Sequence, residues 1–458
     1  MDNNSLIQDG ADARFRHLSG TIRTAIEHAH IPGMAVGILH DGTERSAGIG
    51  VTNADHPLSV DGDTLFQIGS TTKTLTATVI MRLVEAGLLD LDVPVRAYLP
   101  ALHLADEDVA AHVTVRHLLT HTAGWEGDYF ADFGPGDDAL ARLVATLDRL
   151  PQLTPLGAIW SYNNAGFYLA GRLIEVVTGE TYEAAAQRLV LDPLAMTRSF
   201  FFAADVITHR VAAGHTTDAH GSVVARPWAI PRAHNPAGGL ICSMQDLLRY
   251  ARFHLGDGHA TDGTALLLPA TMALMQSPLT PTGPFGAAWQ LEDIEGTRVV
   301  THNGGTYGQM AAFRLVPDRG FAIALLANAD NAMAVFPTII AQAFDAYLDL
   351  RERALNPLDV PTDDLVVYVG RYVGADIDLD VGLDHGHLVM TEIVKARFGA
   401  EDSALLPTPS PMGLALYGED HVVVRDGLWT DQRANFVRTP DGAIRWLRFL
   451  ARLHVRQG

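Results

Sequence analysis

Apolar and polar positions alternate along this chain with two different periods, and the change of period divides it. Residues 12–30 carry apolar side chains at helical spacing, and the run Gly33–Leu39 closing on Asp41-Gly42 predicts a strand entering a hairpin. A second helix is predicted over 70–88, with Ser70 as its N-cap, a threonine-rich first turn, and Leu75, Val79, Met81, Leu83 and Val84 behind it. Gly87 closes it. Further helical stretches fall at about 137–149, 164–178, 180–190, 244–255 and 331–353, so the middle of the chain reads as mainly helical. After His302 the period returns to that of strands: Met310–Val316, a turn at Pro317-Asp318-Arg319-Gly320, then Phe321–Leu326. The last helix is expected to end near Ala354, and Asn356–Asp364 has the composition of a linker. From Leu365 onward, short alternating apolar runs are broken by Gly and Asp turns about every 8 to 12 residues, which predicts a small β-barrel or sandwich.

Composition narrows the function more than the fold. At 458 residues, with 48% apolar and 19% charged side chains, the chain is long enough for two domains with buried cores. A net charge of −20 repels phosphate backbones and anionic membrane faces, so neither nucleic acid nor membrane is expected as a partner. Cys242 is the only cysteine, which excludes an internal disulfide and a thiolate metal cluster. The first ten residues have neither the basic start nor the apolar stretch of a secretory signal, and no run of about 20 apolar residues follows, so the expected location is cytoplasmic. Of the 33 basic residues only Lys73 and Lys395 are lysines, and a lysine that survives such an arginine bias invites a chemical explanation.

Three short motifs offer that chemistry. Ser70-Thr71-Thr72-Lys73 sets a hydroxyl and an amine one helical turn apart, within reach of each other. The lysine serves as a base only where burial or neighbouring positive charge lowers its pKa. A capping serine with a solvated lysine is the ordinary alternative. In Trp160-Ser161-Tyr162-Asn163-Asn164, a tyrosine suited to proton transfer stands two residues before an amide suited to holding a substrate carbonyl, although a plain helix cap fits too. Thr301-His302-Asn303-Gly304-Gly305 joins a candidate catalytic histidine, His302, able to polarise a substrate carboxylate or the proton network, to glycines that let a substrate approach backbone N–H groups, but taken alone Asn-Gly is a hairpin-turn signal. His117 and His121 stand four apart without the glutamate or third ligand of a zinc site, and no metal or cofactor is expected.

The order Ser-x-x-Lys, Tyr-x-Asn, His-x-Gly resembles that of the class C β-lactamases, D-alanyl-D-alanine carboxypeptidases and related esterases and peptidases. Phe66-Gln67-Ile68-Gly69-Ser70, Leu118–Gly124 and Asn235-Pro236-Ala237-Gly238-Gly239 add to a likeness that runs over about residues 15 to 350. Glu352-Arg353-Ala354-Leu355-Asn356 matches a class A signature but lies out of order, at the expected end of a solvated helix. The resemblance implies an α/β fold of β-lactamase/transpeptidase type: an antiparallel sheet flanked by helices, an all-helical subdomain, and then a small all-β barrel. It implies Ser70 as nucleophile, Lys73 and Tyr162 sharing proton transfer, Asn164 positioning the acyl group, and an oxyanion hole from the backbone N–H groups of Ser70 and Gly305, with Gly304 beside it. His302 stands where β-lactamases commonly carry lysine, which points towards the peptidases and esterases.

The C-terminal part, opening on Tyr368-Val369-Gly370-Arg371-Tyr372, is similar to lipocalin-like barrels attached to some members, and two parts stand open for it: capping the cleft against large substrates, or supporting dimerisation. The expected domains are 1–355, a linker at 356–366, and a barrel at 367–458. The expected activity is a serine hydrolase acting on a small-molecule or peptide acyl substrate. An acyltransferase or thioesterase-like peptide cyclase, a β-lactamase, and a non-catalytic binding or sensor protein stand as alternatives, and homo-oligomerisation stays open.

Overall fold

Gly33–His40 reads apolar throughout because it is an interior strand, paired on one side with Thr43–Gly50 and on the other with Phe321–Ala327. In the computed structural model, which describes residues 13–218, 221–260, 262–395, 410–427 and 429–457, these strands belong to a six-stranded antiparallel sheet. It continues through Gln309–Val316, Thr297–Thr306 and Gln290–Ile294. Residues 1–10, on which the expectation about a secretory leader rests, lie outside the described residues.

Two helices from opposite ends of this region, Ala13–His28 and Phe336–Leu348, cover one face. Phe15, Leu18, Ile22 and Ile26 meet Val36, Ile38, Ile323, Leu325, Ile339 and Phe344 in one apolar core. Each large side chain fully withdrawn from water there stabilises the fold by about 1.5–3 kcal/mol. The helix Met244–Leu255, capped by Ser243 accepting the Asp246 N–H, packs on the sheet as well. A small sheet of Leu65–Gln67, Ile241–Ser243 and Ser199–Phe200 carries the chain into the Ser70 turn. Cys242 lies in it fully buried, and burial pushes its thiol well up, so it has no access to nucleophilic chemistry.

The helices predicted at 164–178 and 244–255 form over those residues. Others differ. The stretch 137–149 divides into Ala139–Val144 and a 3₁₀ turn at Leu147–Arg149. The stretch 180–190 becomes Tyr182–Ala186 followed by a π-helical turn, Gln187–Leu191. The helix expected over 331–353 is a 3₁₀ segment, Asp330–Ala334, and then Phe336–Leu348, ended by Asp349 in the left-handed region at φ +48°. Glu352–Asn356 therefore lies beyond the helix rather than at its end.

A second compact unit is formed by Gly124–Phe130, Leu150–Asn164 and Arg353–Gly458. Its strands Gly370–Val373, Ile377–Asp384, His387–Val394, Met412–Gly418, His421–Val424, Arg433–Arg438, Ile444–Phe449 and Arg452–Arg456 pair in sequence. Pairing of Tyr372 with Arg456 closes them into an antiparallel barrel, which leaves no exposed sheet edge. Tyr372, Leu379, Val381, Leu388, Met390, Phe436, Leu447 and Phe449 are buried in its apolar core.

A buried histidine in the first unit gives the fold a pH dependence. His254 is enclosed by the rings of Tyr250, Phe253 and Trp289, with Thr78 Oγ1 3.3 Å from its Nε2. Burial pushes its pKa down to about 3 from 6.5. The folded ring stays neutral while the unfolded chain takes up a proton, so this contribution is present above pH 6.5 and is lost as pH falls towards 3. At pH 5 the loss for this ring is about 2 kcal/mol. Urea titrations of His254→Phe should therefore show a shallower decline in stability between pH 7 and 5 than the parent; identical slopes would refute this account.

Candidate functional site

Ser70 sits in a 3₁₀ turn, Gly69–Thr71, which runs into the α-helix Thr72–Glu85. It is therefore not the helix cap expected from the sequence: the cap position falls to Thr71, whose side chain makes no capping bond. The i, i+3 relation survives the change, because a 3₁₀ turn brings residues three apart onto one line. Lys73 is fully buried, with its Nζ 3.0 Å from Ser70 Oγ and 2.7 Å from the carbonyl oxygen of Ala237. The Phe167 ring lies 5.5 Å from the same nitrogen. The solvated-lysine alternative is thus excluded by burial.

The carbonyl that receives Lys73 belongs to Asn235–Gly238, a short helix with Pro236 in its first turn. Thr76 Oγ1 donates to Pro236 O at 2.7 Å, and Asn235 Nδ2 to Glu183 Oε1 at 2.8 Å, so this anchor is itself held from two sides. The sequence alone assigns this segment no part. Its signal was the Asn-Pro-Ala-Gly-Gly run, and only the fold shows which carbonyl it presents.

His302, Gly304 and Gly305 lie on the strand Thr297–Thr306, in register with Phe313, Ala311 and Met310. Asn303-Gly304 is therefore strand, not the hairpin turn its dipeptide signals; the turn comes at Tyr307-Gly308, between the paired Thr306 and Gln309. The strand backbone presses against the serine turn. Gly69 adopts φ +50°, and a Cβ on it would stand 2.4 Å from Gly305 N. A Cβ on Gly304 would stand 1.9 Å from Ile68 O and 2.9 Å from Ser70 N. Only glycine permits this approach, which puts the backbone around Ser70 beside that of Gly304-Gly305.

His302 is buried, with Nδ1 2.6 Å from the carbonyl oxygen of Asn303. That oxygen can only accept, so Nδ1 carries the proton. Burial first, and then the charge of Lys73, pushes the His302 pKa down to about 3. The ring is neutral, and Nε2 is the lone-pair side. Behind it, Arg314 donates to Asn303 Oδ1 at 2.7 Å.

Ser70, Lys73, His302, Gly304 and Gly305 are thus brought together in the first unit. Tyr162 and Asn164 belong to the second. There Asn164 N donates to Gly127 O at 3.1 Å, its Nδ2 to Asp128 Oδ1 at 2.7 Å, and Tyr162 N to Ala451 O at 2.8 Å. His117 caps its own helix by accepting from Thr114 N, and His121 packs between Phe285 and Phe167, so both are structural. Among the described residues no group of three or more His, Cys, Asp or Glu side chains is arranged to hold a metal. No described helix is long and apolar enough to cross a membrane. The other lysine, Lys395, pairs with Asp378 at 2.7 Å in the barrel.

The architecture is that of a β-lactamase/transpeptidase-like fold followed by an eight-stranded antiparallel barrel. The Beta-lactamase family model matches residues 18–347, and the chain belongs to this family of serine hydrolases. It is 36% identical over 327 residues to penicillin-binding protein 4 of Amycolatopsis lactamdurans, covering 69% of this chain and 85% of that one. It is 26% identical to the unguisins hydrolase ungD of Aspergillus violaceofuscus, over 71% of this chain but only 62% of that protein's length. Among solved structures, the crystal structure of SurE aligns over 97% of this chain and 99% of its own, with a TM-score of 0.76 and 27% identity.

Proposed function

We propose that the protein is a serine acyl hydrolase that forms an acyl-enzyme at Ser70 and acts on an ester, amide or small peptide. The observation that carries this reading is the buried Lys73 amine, 3.0 Å from Ser70 Oγ and anchored on Ala237 O. In its neutral form Lys73 takes the Oγ proton as Oγ attacks the substrate carbonyl. The tetrahedral oxyanion accepts from the N–H groups of Ser70 and Gly305, the bond to the leaving group breaks, and the proton passes to that group. Water then repeats the sequence on the acyl-enzyme and releases an acid. The motif order carries the remaining assignments: Tyr162 shares the proton transfers, and Asn164 hydrogen-bonds the acyl side.

His302 bears on the substrate class. A buried neutral imidazole whose Nδ1–H is committed to Asn303 O lacks the positive charge with which a lysine would neutralise a carboxylate. This favours a neutral leaving alcohol or amine over a β-lactam. Intact-mass analysis after treatment with a fluorophosphonate should find one adduct, at Ser70, that Ser70→Ala abolishes. Folded protein without that adduct would sink the hydrolase reading. Fast, saturable nitrocefin turnover would instead favour the β-lactamase. Product analysis with an added amine separates hydrolysis from acyl transfer.

A further inference from the structure

Trp160, Ser161, Tyr162 and Asn164 are gripped by the last hairpin of the barrel or by a group that hairpin holds. Leu450 and Ala451, at φ +48° and +66°, form its tight turn. Ala451 O accepts the Tyr162 N–H at 2.8 Å, and Leu453 N donates to Ser161 Oγ at 3.1 Å. Arg448 donates to Trp160 O through Nε and Nη2 at 3.2 and 3.0 Å, with its guanidinium 4.0 Å over the Trp160 ring. Arg452 lies over the Tyr162 ring, 4.8 Å from its centroid, and binds Asp128 through Nε at 2.8 Å and Nη2 at 3.3 Å. Asp128 Oδ1 in turn accepts Asn164 Nδ2 at 2.7 Å. One arginine therefore touches the tyrosine directly and the asparagine through a single carboxylate.

The electrostatics make this coupling stiff. Burial works against the Arg452 charge, and Asp128 more than restores it, so the guanidinium stays cationic. Burial, and then Asp128, push Glu126 up to about 7 and Asp376 up to about 6. Removing Arg452 would leave Asp128, itself 8% exposed, beside Glu126 and Asp376 without its ion-pair partner.

We propose that Arg452 is a positioning residue for the acyl-enzyme chemistry: from the barrel's last hairpin it fixes Tyr162 by its ring face and Asn164 through Asp128. This rests on the parts given to Tyr162 and Asn164 above. A displacement of about 1 Å in such groups costs on the order of a hundredfold in rate, whereas substrate affinity is little affected.

The test compares Arg452→Met, Arg452→Lys and Asp128→Asn with the parent on a p-nitrophenyl ester and in fluorophosphonate acylation. Arg452→Met should lower kcat and the acylation rate by about ten- to a hundredfold with KM within about threefold. Arg452→Lys, which keeps a cation beside Asp128, should recover much of the loss. Asp128→Asn keeps the shape and the contact with Asn164 while uncoupling Arg452, so it reads the same effect should the methionine variant not fold. Unchanged kcat in a folded variant, absence of rescue by lysine, or a rise in KM alone would overturn the proposal, the last by making Arg452 a substrate contact. Failure of the parent itself to label at Ser70 would fall on the functional reading instead.

Discussion

Replacing Lys73 by methionine should slow acylation of Ser70 by about a thousandfold or more, the range lost when a positioned general base is removed. Methionine has nearly the length of the lysine stem and suits the apolar contact with Phe167, so the variant keeps most of the packing around a fully buried side chain. Its cost in stability is the donor lost to Ala237 O, about 1–3 kcal/mol. Activity should therefore fall far more than thermal stability. Lys73→Arg separates two explanations of that loss. Arginine keeps a cation at the end of the helical turn but cannot release its proton near neutral pH, so a base at this position predicts an arginine variant nearly as slow as the methionine one. Intact-mass time courses with a fluorophosphonate, and the burst phase of an ester substrate, measure the step directly. An arginine variant that retains a tenth or more of the parent rate would show that Lys73 acts by charge alone.

What the sequence made legible was mostly what repeats. The helix Met244–Leu255 has a long amphipathic face, Asn164–Thr178 is a long apolar run, and the barrel strands recur at turn spacing, so period and punctuation sufficed. What it hid depends on contacts distant in the chain. A 3₁₀ turn and an α-helix share the i, i+3 relation, so the spacing of Ser70 and Lys73 was readable while the form of the turn was not. Asn303-Gly304 has the composition of a hairpin, but its glycine answers to the Ile68 carbonyl, more than two hundred residues earlier, and the chain turns only at Tyr307-Gly308. The scarcity of lysine pointed to Lys73, yet it pointed equally to Lys395, which forms an ion pair with Asp378. Nothing local marks Asp128 or Arg452 as partners, because the two are separated by 324 positions.

Gly304→Ala should damage both fold and site, because the added methyl group has nowhere to go. It would stand 1.9 Å from Ile68 O and 2.9 Å from Ser70 N, both backbone atoms. Neither side can yield cheaply. Gly304 is held in register with Ala311 by the neighbouring strand Gln309–Val316, and Ile68 N is bonded to Leu240 O at 3.0 Å. The strand must then part from the serine turn, at about 3 kcal/mol or more, which lowers the melting temperature by about 5 °C or more. The same parting separates the backbone N–H groups of Ser70 and Gly305, and losing one oxyanion donor costs about a hundred- to a thousandfold in kcat. Gly305→Ala is the control one residue away: its methyl would meet Met310 Sδ at 2.9 Å, and a flexible thioether can swing aside. Thermal unfolding paired with fluorophosphonate labelling should find the first variant both less stable and slow to label, and the second close to the parent in stability. If Gly304→Ala melts and labels like the parent, strand and turn are not packed as described, and the oxyanion assignment to Gly305 falls with them.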